Sequence, residues 1–115
     1  MINLNVDEAY AFDFLSILYL KKEKNKEFLK TWKECSSYIK KQMPKIFNKI
    51  IKSKEYNNLL EANSKTFTAV DKAKNDLVKA SYVDQCNYER YLAKRDLQNK
   101  FFNTKLAEVK IGYEK

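Results

Sequence analysis

Apolar side chains recur every three or four positions over most of the chain, which is the period of an α-helix and not of a strand. The clearest run is Phe28, Trp32, Cys35, Ile39 and Met43, spaced by 4, 3, 4 and 4. It predicts a helix over about 26–43, with Asn25 as its cap and Pro44 as its stop, since proline disfavours helix at the residue before it. An earlier segment is different. From Ala9 to Leu20 apolar residues point almost all round a helix, so a helix over about 6–22 is expected to need neighbours on most sides and to sit at the centre of the fold. Asn5 and Glu8 have the spacing of a capping box at its start.

A third helix is expected over about 45–61, burying Ile46, Phe47, Ile50 and Ile51. A separate start at Ser53 is the alternative for Leu59 and Leu60. Ala62–Thr66 is the weakest helical stretch, because Asn and Ser compete for backbone hydrogen bonds, and a turn is expected there. The rest, about 68–110, contains no breaker before Gly112. A seam runs through Val70, Leu77, Ser81, Asp84, Tyr88, Tyr91, Arg95, Phe102, Leu106 and Val109. Such a helix would be about 60 Å long, twice the roughly 30 Å diameter of a compact chain of this size. Either it breaks near Ser81–Asn87 or part of it packs on another chain. The expectation is an all-α single domain, a small bundle of three to five helices with a long C-terminal helix. A homodimer is expected from that helix.

Composition supports this reading. One Gly and one Pro in 115 residues are too few for the turns of an all-β fold. No segment reaches the roughly 20 apolar residues of a membrane span, and no secretory leader is legible, which points to a cytoplasmic protein. The absence of His removes the commonest general base and metal ligand. No metal or cofactor motif is present. Cys35 and Cys86 have neither metal nor redox spacing and read as reduced, buried small residues.

Charge changes the picture more. The net charge is +8, but residues 1–20 carry −3, residues 21–54 carry +9 and residues 55–115 carry +2. The excess therefore belongs to one segment. Lys26, Lys30, Lys33, Lys40, Lys41, Lys45, Lys49 and Lys52 lie away from the apolar stripe, a surface suited to non-specific attraction of nucleic acid or another polyanion. The plainer reading is a solvated face in a lysine-rich vocabulary, 21 Lys to 2 Arg, as AT-rich genomes encode. Phe28 and Trp32 belong to the opposite side, so a base-stacking platform is not expected.

Two polar groups are candidates for chemistry. Asp84, Tyr88, Tyr91, Arg95 and Asn99 on the long seam would contact a partner or a small anion; the plainer readings are an Asp–Arg pair that sets helix register or a polar strip lying at a helix edge. Asp13, with Ser16, stands on an otherwise apolar helix. It would act as an acid or base if its pKa were perturbed, or else pair with a lysine or tyrosine of a neighbouring helix. A small enzyme built on either group would need a concave pocket gathering it. The opening Val6-Asp7-Glu8-Ala9-Tyr10-Ala11-Phe12-Asp13-Phe14-Leu15-Ser16-Ile17-Leu18 resembles the start of small uncharacterised proteins of marine cyanophages. That resemblance implies a phage accessory protein in a bacterial cytoplasm and carries over no functional residue. The leading expectation is a non-enzymatic helical binding or adaptor protein engaging a protein partner. Polyanion binding through residues 26–52 is the alternative.

Overall fold

A computed structural model describes residue 2 and residues 5–102. Five α-helices follow one another among the described residues: α1 Glu8–Lys24, α2 Leu29–Gln42, α3 Phe47–Ile51, α4 Lys54–Lys74 and α5 Ala80–Phe101. A single 3-10 turn, Lys26–Phe28, leads into α2. The described residues contain no strand. The protein is an all-α bundle.

α4 and α5 form an antiparallel hairpin. Lys65 meets Glu89 at 2.9 Å, and the Thr66 hydroxyl reaches the Cys86 carbonyl at 3.4 Å. α1 packs against this hairpin and against α2, as its many-sided apolar surface requires. Phe12 is the centre of the core. Its ring meets Phe47 at 6.0 Å and Tyr56 edge-on at 6.2 Å, among Leu15, Ile39, Ile50, Leu59 and Leu97. Each such side chain contributes about 1.5–3 kcal/mol on burial. One side of α1 stays open, where Phe14 is 56% exposed.

Helix ends explain where the expected boundaries fail. The expected capping box does not form. The N-cap of α1 is Asp7, which makes no side-chain cap bond. Instead Gln98 of α5 accepts from the Ala9 amide at 2.9 Å and donates to Glu8 at 2.9 Å, satisfying an orphan donor from across the fold. Asn25 does cap the next turn, accepting from the Glu27 amide at 3.0 Å. The expected helix over 45–61 is two helices. α3 is little more than one turn, and Ser53, with extended backbone, starts α4 by accepting from the Tyr56 amide at 3.0 Å.

The expected turn at 62–66 is absent, and α4 runs straight through it. The Asn63 and Thr66 side chains are engaged elsewhere: Thr66 bonds back to the Ala62 carbonyl at 2.8 Å, and Asn63 reaches across to α1. The long helix over 68–110 is also overturned. Asn75–Lys79 breaks it, ahead of the stretch from Ser81 to Asn87. Asp76 takes φ = 57°, a left-handed closure usually given to Gly, and the Leu77 amide bonds back to the Lys72 carbonyl at 2.9 Å. The break carries neither Gly nor Pro, so no ordinary breaker marks it. α5 has 22 residues, about 33 Å, and fits its own domain. The argument for self-association from an overrunning helix therefore fails over the described residues. Leu106, Val109 and Gly112 lie outside them.

Candidate functional site

The lysine surface begins with why α2 faces as it does. Trp32, Cys35, Ile39 and Met43 turn to the core, with Ile39 buried and the others half-buried. Trp32 meets Tyr19 of α1 edge-on at 6.1 Å, and Lys22 lies 4.8 Å above its ring. The opposite side is therefore held outward. Lys26, Lys30, Lys33, Lys40, Lys41, Lys45, Lys49 and Lys52 are all exposed. Only a loose 3.9 Å pair, Lys30 with Glu34, is formed among them. Phe28 and Trp32 lie against α1, and the aromatic most open to water on α2 is Tyr38, on the flank of the lysine row.

The second assembly is internal. Asp13 and Ser16 share a face of α1, and Ser16 bonds back to the Asp13 carbonyl at 2.7 Å. Asn63 of α4 is wholly buried. Its amide donates to Asp13 Oδ1 at 2.8 Å and to Ser16 Oγ at 2.7 Å. Arg90 of α5 donates through Nε to the Asn63 carbonyl and through a terminal nitrogen to Asp13 Oδ2 at 3.4 Å. It also reaches Asn87 at 3.3 Å. Lys94 stands 4.0 Å from the same carboxylate oxygen and 4.6 Å over the Tyr10 ring. Asp13 thus pairs with cations of a neighbouring helix. Among the described residues no buried side-chain nitrogen or oxygen lacks a hydrogen-bond partner. The cluster is a closed structural junction of three helices.

The expected polar seam on α5 does not face inward. Asp84, Arg95 and Asn99 are exposed, and Tyr88 and Tyr91 are half-buried and stacked at 6.2 Å. Arg95 lies 5.9 Å from the Tyr91 ring and 3.9 Å from Asp96. Asp84 and Arg95 are eleven residues apart on one continuous helix, about 16 Å, too far to pair with each other. The stripe that faces inward is Cys86, Arg90, Ala93 and Leu97, spaced by 4, 3 and 4. The residues missed in sequence are thus Asn63, Arg90, Lys94 and Gln98. For Asn63 and Arg90 the signal was the unbroken helical spacing Tyr56, Leu59, Asn63, Thr66 on α4 and Cys86, Arg90, Ala93, Leu97 on α5; Lys94 and Gln98 lie one and two turns further along from Arg90.

An open groove of about 340 Å³ runs between α4 and α5, lined by Asn58, Glu61, Lys65, Glu89, Leu92 and Asp96 among others. It gathers neither Asp13 nor the Asp84 and Arg95 pair. No known family model matches the chain, and no curated protein or solved structure does. Both cysteines are free: Cys86 is buried, and partial burial pushes the Cys35 thiol up. Tyr56 is held above the ordinary phenol range, chiefly by burial. No group of three or more metal-ligating side chains occurs among the described residues, and no described helix is long and apolar enough to cross a membrane.

Proposed function

We propose that this chain is a non-enzymatic binding protein whose lysine-rich α2–α3 surface engages a polyanion, with nucleic acid as the leading partner. The observation that carries the reading is the exposure of all eight lysines between Lys26 and Lys52 behind a stripe packed on the core. Cations held at a surface, with Lys30 only loosely paired to Glu34, release counterions from a phosphate backbone, and affinity then falls with salt. Lysines act there as point charges without base readout, so the binding is sequence-independent. The internal cations do not take part, because Arg90 and Lys94 lie at the Asp13 carboxylate.

Fluorescence anisotropy with labelled nucleic acid tests this. Affinity is expected to drop by about a hundredfold or more between 50 and 200 mM salt. Absence of binding at 50 mM removes the reading.

A second reading, a helical adaptor for a protein partner or a second copy, rests on the tip of the α4–α5 hairpin. Leu77 is 70% exposed there, and Val70 of α4 and Tyr82 of α5 are also exposed. Light scattering after size exclusion, with Leu77→Ser as the control, distinguishes self-association from a monomer.

A further inference from the structure

The eight lysines are not equivalent. α2 is a regular helix of 14 residues, whereas α3 has five residues, and Lys45 and Lys52 lie in the turns on either side of it. Only α2 can hold cations in a fixed row. At 100° per residue, Lys30, Lys33, Ser37 and Lys40 fall within about 80° of arc, with Lys41 just beside them. The first two of their spacings of 3, 4 and 3 match those of Trp32, Cys35 and Ile39 on the other side of the same helix. Ser37 is exposed and occupies the one place in the row without an amine. A hydroxyl, like lysine, is a common donor to phosphate oxygens. Glu34 stands at one edge of the row, about 40° from Lys30 and 20° from Lys41, and pairs loosely with Lys30 at 3.9 Å.

We propose that α2 is a ridge that seats on the backbone of double-stranded nucleic acid, with Lys30, Lys33, Ser37, Lys40 and Lys41 contacting its phosphates and the α3 lysines standing outside the contact. This rests on the polyanion reading above and narrows it. Lys30 to Lys41 spans about 16 Å of helix. Each strand carries one phosphate per about 3.4 Å of duplex axis, but it winds round that axis, so the four amines and one hydroxyl of a straight row share the few phosphates of the strand segment they lie along. Single strands fit less well. They are gripped by aromatic platforms, and the row has none, since Trp32 is committed to Tyr19 and Tyr38 stands at the flank. A lipid surface fits less well too. An interfacial helix buries its apolar face in the bilayer, and that face of α2 is already packed on the core.

The test is anisotropy of the full chain against a labelled 20-base-pair duplex, a single strand of the same length, and vesicles with 30% phosphatidylserine, across 50–200 mM salt. With four amines engaged, the slope of log K against log salt is expected near −4; with all eight it approaches −7. Lys30→Gln/Lys33→Gln/Lys40→Gln is expected to flatten the slope by about three units. Lys45→Gln/Lys49→Gln/Lys52→Gln should leave it within about one unit, with unchanged melting curves for both triple variants. A slope near −7, equal damage from the two triples, or tighter binding of single strand or vesicles overturns the ridge while leaving polyanion binding intact. No salt-sensitive binding to any of the three removes both.

Discussion

The cations of α2 and those of α5 live in opposite environments, although both sit on helices of ordinary length with similar spacing. Lys30, Lys33 and Lys40 face water behind an apolar stripe. Arg90 and Lys94 lie within an inward face, and they do so because Asp13 and Asn63 meet them there. A charge is tolerated inside only with a partner already in place, and removing that partner costs far more than the pair contributes. Spacing alone therefore says which face of a helix is apolar. It does not say whether a charge on that face is tolerated, because the partner comes from another helix.

The strongest way to break this contrast is Asp13→Ala set against Lys33→Ala. The first removes the carboxylate that Arg90 and Lys94 meet and is expected to lower unfolding free energy by about 2–4 kcal/mol, discounted for partial exposure. The second should stay within about 0.5 kcal/mol. Urea denaturation measures both, and equal effects would dissolve the distinction between inner and outer cations. A smaller change sharpens it. Arg90→Lys keeps the charge but loses the fork that reaches Asn63, Asn87 and Asp13 together. A loss of about 1–2 kcal/mol is expected, and no loss would mean that charge alone holds the junction.

The smallest effect concerns a buried group that stays neutral. Burial raises the Tyr56 phenol, and Cys35, Tyr19 and Asp13 add to it. The unfolded phenol ionises near pH 10 while the folded one does not. Stability from this group is therefore complete below about pH 10 and is lost as pH rises further, by roughly 1 kcal/mol at pH 10.5. Tyr56→Phe should flatten that alkaline fall in thermal melts. An unchanged alkaline limb would mean that Tyr56 is not its source.

The legibility of the fold follows the same division. α2 was readable because its buried side is apolar and its outer side charged, and the Asn25 cap and Pro44 stop mark its ends. α5 was misread because tyrosines suggested the seam. Tyrosine is amphipathic and settles at helix edges, whereas the buried stripe contains Arg90, which local pattern sends to the surface. The break at 75–79 was invisible because Asn75 and Asp76 close α4 where Gly is the usual signal. Asn63 was read as a helix breaker for want of knowing what it would meet. Of the candidate residues, the lysine surface came from the sequence with its exposure right, while the three-helix junction was legible only as the oddity of Asp13.

The bond from Gln98 to the Ala9 amide has a consequence for synthesis. The start of the first helix waits for a side chain added 89 residues later, about 4–18 s at ordinary ribosomal rates. Until residue 90 α1 has neither its cap nor the Arg90 partner of Asp13, and until residue 74 its greasy sides lack a complete α4 as well as α5. A nascent chain halted before residue 90 should accordingly be a strong client for chaperones, and release of the last helix should end that dependence.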